Sequence, residues 1–245
     1  PNNMDLILVG ALPENAEELV QTYFGEPSSG GGTKYDFPKN PSLEEKTILH
    51  RHAQELCNGN SPGDSNAHLN ISFVAPTEDT EDSYAVGRLV QVLGGGANSK
   101  LFKRVSEEMG LTYGIGASYV YGNNAGMINV GGSVQATRAD EAIDAIFDEM
   151  NRLKNELVDG DELARINRKF VYGLAKHLET NDGHVGAIQS KWDHGTTPES
   201  HLEKMTAVTP EMVREVANKY FPANRTDGKY VLLLRDPLKD SAIKH

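Results

Sequence analysis

The sequence contains a single cysteine, Cys57, and this scarcity excludes an internal disulfide framework and thiolate zinc clusters. It also lacks any apolar run near the roughly 20 residues that a membrane-spanning helix needs, and it shows no signal peptide. Positive charge is scarce, because 24 Lys and Arg stand against 35 Asp and Glu, for a formal net charge of -11. An acidic surface repels phosphate backbones and anionic lipids, so we expect neither nucleic acid nor membrane as a partner. A basic peptide is compatible with this charge, and the compartment stays open.

The order of apolar patterns indicates an α+β fold, an antiparallel-rich sheet covered by helices. Alternating residues predict a half-buried strand at 69–76 and an antiparallel hairpin over 112–135, and further strands are expected at 47–52 and 230–234. Apolar stripes, caps and glycine stops predict helices at 82–93, 99–109, 139–157, 161–180, 184–194 and 209–220.

Residues 1–45 are predicted to form an initial strand, a helix and a linker, and residues 46–245 the main α+β domain. The run Leu6–Gly10 is short and apolar, as in a buried strand, and the helix after Pro13 should end at Gly25. The stretch 25–45 is rich in Gly, Pro and Ser, which favours a linker. Because Pro1 lies almost directly inside a strand-like run, we expect further residues to precede it in the natural protein.

None of the eight histidines has the spacing of a helical zinc site, H-x-x-E-H or H-E-x-x-H. His50 and His52 share one face of a predicted strand and Glu55 follows, so a metal site there is an alternative to two surface histidines. His177 and His184 lie about two helical turns apart across a predicted helix break, and we interpret them as solvated or structural.

The sequence also lacks the motifs of phosphate binding and of nucleophilic catalysis. The run Gly94–Lys100, GGGANSK, lacks the glycine before lysine that a phosphate-binding P-loop requires, and it follows a helix instead of a strand. No G-x-S-x-G is present, and Cys57 has no identifiable histidine partner. Gly94, Gly95 and Gly96 can instead form a flexible turn between helices, or a place where a ligand approaches the backbone closely.

The segments Leu93–Phe102 (LGGGANSKLF) and Glu107–Tyr113 (EEMGLTY) resemble the pitrilysin/insulinase/mitochondrial processing peptidase family. That family has a leucine and glycine stretch, a small-residue turn, S-R-L-F and then R-E-K-x-G-L-A-Y. Further segments agree in the same order, at 3–10, 17–25, 68–76, 208–221 and 231–236. The resemblance implies the LuxS/mitochondrial processing peptidase-like metallohydrolase fold over nearly the whole chain.

The resemblance also implies a partner. Family members pair two halves of two similar α+β domains, and zinc binds an H-x-x-E-H helix in the first domain of one half. This chain matches the region after that domain. It should therefore bind no zinc and should not cleave peptides by itself, with the zinc in a missing or partner domain. Its expected partners are that zinc-bearing domain or subunit, in a homo- or heterodimer, and a peptide substrate that adds as a strand in the active half.

The substrate-holding residues follow from the same alignment of motifs. Tyr113 matches a tyrosine that holds substrate near the zinc, whereas Ser106 stands where the family has an arginine. A short hydroxyl thus replaces a planar cation. Tyr113 could equally be a strand aromatic in the core, and the chain could come from the catalytic half. Two rival functions are a complete hydrolase with metal on His50, His52 and Glu55, and a catalytically retired scaffold subunit.

Because the zinc-helix motif is absent, we predict that the purified chain binds no stoichiometric zinc and does not hydrolyse a fluorogenic peptide. Metal analysis after dialysis and peptide turnover with and without chelator test this. Chelator-sensitive cleavage by clean protein would support the complete-hydrolase alternative.

Overall fold

The computed structural model describes residues 5–25, 47–52, 66–78, 80–122, 124–226 and 228–236. Spatial clustering divides the chain into two compact units. One comprises residues 1–37 and 167–206, and the other comprises residues 38–166 and 207–245.

The second unit is built on a mixed sheet whose described strands are β1 (Thr47–His52), β2 (Asn66–Ala75), β3 (Gly114–Tyr121), β4 (Gly126–Gln135) and β5 (Val231–Asp236). Their order is β1-β5-β2-β4-β3, so β1 and β3 are the outer strands. Only the β1–β5 pair is parallel among these described strands, and the other pairs are antiparallel. The antiparallel-rich α+β fold is therefore confirmed, as are the predicted edge strand at 47–52 and the hairpin.

The α-helices among the described residues are α1 (Ala16–Phe24), α2 (Glu81–Gly94), α3 (Ala139–Asn155), α4 (Gly160–His177), α5 (Asn181–His194), α6 (Pro198–Thr206) and α7 (Pro210–Tyr220). A π-helix covers Phe102–Glu108, and a 3₁₀ turn covers Ala136–Arg138. No helix in the described part of the chain combines the length and apolarity needed to cross a bilayer.

The core lies between one face of the sheet and the helices α2, α3 and α7. Leu69, Ile71 and Phe73 of β2 are buried while the residues between them are half-buried, as their alternation predicts. The apolar stripe of α3 is buried as a whole, from Ile143 to Leu153. Phe73 also packs against the rings of Phe221 and Tyr230, with centroids 5.8 and 6.2 Å away.

Within the first unit, the predicted strand Leu6–Gly10 is wrong. Residues 5–9 form no strand, and Leu6 and Leu8 are 44% and 45% exposed. A strand requires a neighbouring backbone to bond with, and the described residues of this unit include no strand. The helix that follows is confirmed, since α1 ends at Gly25 as expected.

The helix α6 was not predicted. Thr197 and Ser200 cap it reciprocally: the Ser200 backbone N–H donates to Thr197 Oγ1 at 3.2 Å, and the Thr197 N–H donates to Ser200 Oγ at 3.0 Å. α7 begins in the predicted way, with Thr209 accepting from the Met212 N–H and Pro210 in the first turn.

The expected linker lies outside the described residues apart from Gly25. The division of the chain at residue 45 stays a prediction.

α2 meets β3 through Gly94, the last residue of the helix. A Cβ atom at Gly94 would lie 2.1 Å from the backbone nitrogen of Ala117 and 2.7 Å from its Cβ. Such a distance is far below van der Waals contact, so only glycine permits this approach of helix to strand.

The N-terminus of α2 is joined to the C-terminus of α7 by Asp82. The Tyr220 hydroxyl donates to Asp82 Oδ2 at 2.6 Å, and Lys219 Nζ pairs with the same oxygen. Hydrogen bonds lower the pKa of the Asp82 carboxyl below its usual value, with the larger effect from Lys219 and the smaller from Tyr220. A carboxyl whose folded-state pKa is depressed stabilises the fold above its unfolded pKa, and this contribution is lost as pH falls through the folded pKa.

We predict that Gly94→Ala lowers the free energy of unfolding by about 1–3 kcal/mol, because the new methyl group must displace backbone. Gly114→Ala is the control on β3, since no atom lies within 4 Å of its added Cβ, and it should change stability by at most about 1 kcal/mol. Urea unfolding of both variants measures this. Equal effects would contradict the close approach at Gly94.

We predict that Asp82→Asn lowers stability by about 0.5–1 kcal/mol at neutral pH, since it removes one ionised acceptor at a partly exposed site. The difference from wild type should shrink as pH falls below about 4, the ordinary range of an aspartate pKa. Unfolding at a series of pH values measures this, with Glu81→Gln in the same helical turn as the control. A difference that stays constant with pH would be evidence against it.

Candidate functional site

At each end of the glycine turn, Gly94–Gly96, a different structural reason favours glycine over other residues. Gly94 packs on the backbone of β3 as described, whereas Gly96 has a φ of 116° and open space around its Cβ position. That positive φ favours glycine for conformational reasons alone. The Gly95 N–H donates to the Gln91 carbonyl and ends α2. The glycine turn therefore lies directly beside β3.

Lys100, the lysine of the P-loop-like run, forms an ion pair with Glu162 in the first turn of α4, with Nζ and Oε2 3.0 Å apart. The Glu162 side chain is only 11% exposed. An engaged lysine after a helix agrees with the rejection of a phosphate site.

The helix after the glycine turn is present as predicted, but its main part is a π-helix. The Met109 N–H donates to the Arg104 carbonyl five residues earlier, at 3.1 Å. Gly110 then takes a φ of 63° and ends the helix, as expected. π-helical turns are rare in proteins overall, and those that occur are frequently found at functional sites.

Ser106 lies on this π-helix and contacts the turn that follows. Its hydroxyl donates to the Thr112 carbonyl oxygen at 2.8 Å. A serine has one hydroxyl hydrogen, so in this geometry it is used within the turn. Arg104, two residues earlier, pairs with Glu108 at 2.8 Å.

Thr112, which the sequence analysis did not single out, is one of the few buried polar residues in the described part of the chain, at 8% exposure. Its hydroxyl accepts from the Gly114 N–H at 2.9 Å and donates to the Ser133 carbonyl oxygen of β4 at 2.5 Å. The hydroxyl thereby connects the start of β3 to β4.

Tyr113 follows directly and is 102% exposed. It therefore does not belong to the core, which rules out one of its two interpretations. Within the described residues its hydroxyl has no hydrogen-bond partner. An aromatic side chain with its whole surface in solvent contributes little to stability and is accessible to another molecule.

No group of three or more His, Cys, Asp or Glu side chains in the described part of the chain could hold a metal ion. The side chains of His50 and His52, and all of Glu55, lie outside the described residues, so the alternative metal site there is untested. His177 ends α4 and α5 begins at Asn181, as the predicted helix break between His177 and His184 requires.

Comparison with known proteins agrees with the motifs. Proteins named uncharacterized zinc proteases match from Bacillus subtilis, 22% identical over 97% of this chain, and from Streptomyces coelicolor, 26% identical over 62%. The chain spans 54% and 34% of their respective lengths.

Among solved structures, a peptidase M16 inactive domain from Pseudomonas fluorescens aligns over 86% of the chain and 48% of its own, with TM-score 0.70 and 20% identity. A protease from Helicobacter pylori aligns over 94% of the chain and 53% of its own, with TM-score 0.71 and 16% identity. A chain of Complex III2 from Candida albicans aligns over 80% of this chain and 46% of its own, with TM-score 0.62 and 15% identity. These likenesses show the same fold.

The family model described as the peptidase M16 inactive domain matches residues 1–170, more than half of the chain. The expected family is thereby confirmed: the chain belongs to the peptidase M16 inactive-domain family.

Proposed function

We propose that this chain completes the chamber of a zinc peptidase and holds an extended peptide for a zinc-bearing domain or partner subunit. The relatives named zinc proteases are longer than this chain, which leaves room in them for a zinc-bearing domain. The described residues offer no set of zinc ligands, so no step at the zinc is assigned to this chain.

The full exposure of Tyr113 is the observation on which the proposal rests. Its phenol can donate to a peptide carbonyl, and its ring can cover an apolar side chain. Such a contact orients the peptide without reading much of its sequence.

The glycine turn adds a second contact area in the proposal. Gly96 and Ala97 are exposed, and glycine lets a peptide backbone approach closely. The adjacent β3 is an outer strand of the sheet and begins one residue after Tyr113. Ser106 contributes by holding the turn. Its single hydroxyl hydrogen is donated to the Thr112 carbonyl, so it is not available to a peptide carbonyl in this geometry.

A catalytically retired scaffold is the second candidate. Ser106 in place of a cationic donor favours it, as does the shared fold with a chain of Complex III2. A partner that co-purifies without peptidase activity would favour the scaffold.

We predict that Tyr113→Phe weakens peptide binding about three- to tenfold when a catalytically inactive zinc-bearing partner is present, since one hydrogen bond is lost. Fluorescence anisotropy of a labelled peptide measures this. Tyr172→Phe is the matched control, because Tyr172 is 67% exposed elsewhere in the chain and should leave affinity unchanged.

In the same assay Ser106→Arg should strengthen binding, because a charge-assisted hydrogen bond is worth about 1.5–3 kcal/mol before the loss of the serine contact to Thr112. Ser106→Ala isolates that loss. If Tyr113→Phe only lowers thermal stability and Ser106→Arg equals Ser106→Ala, the chain does not hold peptide through this pair.

A further inference from the structure

The backbone on both sides of Tyr113 is fixed by hydrogen bonds. The Leu111 N–H donates to the Val105 carbonyl of the π-helix, and the Leu111 carbonyl accepts from the Gln135 N–H of β4, both at 3.0 Å. Leu111 itself is 1% exposed. The chain therefore enters the turn from a position held by two elements.

Thr112 holds the exit of the same turn. Gly114 and Ser133 form the first residue pair of the β3–β4 ladder. The Thr112 hydroxyl accepts from the Gly114 N–H and donates to the Ser133 carbonyl oxygen, and the Gly114 carbonyl oxygen lies 2.9 Å from the same hydroxyl. The hydroxyl therefore connects the two strands at the end of the ladder. Because Ser106 holds the Thr112 carbonyl as well, this residue is bonded through its backbone and its side chain.

We propose that Thr112 is the positioning residue that presents Tyr113 to the peptide, an inference that rests on the proposed function. An exposed tyrosine gains no order from packing, so its backbone must be ordered in another way before binding. A pre-ordered backbone reduces the entropy that peptide binding must offset. Thr112 acts through Tyr113 and does not touch the peptide itself.

The test compares Thr112→Val, which keeps the shape and loses the hydroxyl, with Thr112→Ser, which keeps the hydroxyl. In the isolated chain, hydrogen exchange of the Gly114 amide should become roughly two- to tenfold faster in Thr112→Val, the range expected for one lost hydrogen bond, and should be restored in Thr112→Ser. Unchanged exchange in Thr112→Val would overturn the proposal.

The second measurement is peptide affinity beside the inactive zinc-bearing partner. Thr112→Val should weaken binding about three- to tenfold when Tyr113 is present and should have no further effect in the Tyr113→Phe background. A purely structural residue would weaken binding equally in both backgrounds, and that result overturns positioning. If Thr112→Val does not fold, Ser106→Ala removes the neighbouring bond to Thr112 and is tested in the same cycle.

The two measurements separate the two ideas. If Tyr113→Phe does not alter affinity while Gly114 exchange still depends on the Thr112 hydroxyl, the peptide-holding function fails and Thr112 is only an anchor of the turn. If Tyr113→Phe weakens binding and Thr112→Val does not, the function stands and the positioning inference is wrong.

Discussion

The alternating burial of β2 is the constraint on which the sheet unit depends. β2 pairs with β4 on one side and β5 on the other, and Leu69, Ile71 and Phe73 all lie on its buried face. Because side chains alternate strictly along a strand, a slip of one residue would expose Leu69, Ile71 and Phe73 together. The register of β4 is therefore fixed by β2. Ser133 pairs with both His68 of β2 and Gly114 of β3, so its position follows from that register.

The candidate site is thus built outward from the core. Ser133 offers its carbonyl oxygen to Thr112, and Thr112 in turn contacts Gly114 and Ser106. On the other side, the absence of a side chain at Gly94 allows the end of α2 to rest on β3. Tyr113 protrudes from a turn that hydrogen bonds to backbone groups hold in place, although its own side chain is fully exposed.

Much of this architecture was predictable from local patterns. Period-two alternation identified β2 and the hairpin, and helical stripes identified α2 and α3. In each case burial of one face requires apolar residues at a regular spacing, which is visible in the sequence. Two failures have different physical causes. The run Leu6–Gly10 looks like a buried strand, yet a strand exists only where a second backbone accepts it. The start of α6 carries the same Thr-Pro-Glu signal at 197–199 that correctly marked α7 at 209–211, so this helix was detectable.

The site was only half accessible to sequence reasoning. A motif can assign Tyr113 a position, but whether an aromatic residue faces the core or solvent depends on the turn that carries it. The missed signal was Thr112, which stands where the family's motif has alanine, next to Ser106, which stands where it has arginine. Both departures place a hydroxyl in the same turn, and the two hydroxyls bond within it. The Ser106 hydroxyl donates to the Thr112 carbonyl, and the Thr112 hydroxyl accepts from the Gly114 N–H. Both departures from the motif therefore add hydrogen bonds to the turn that carries Tyr113, where an alanine side chain could make none.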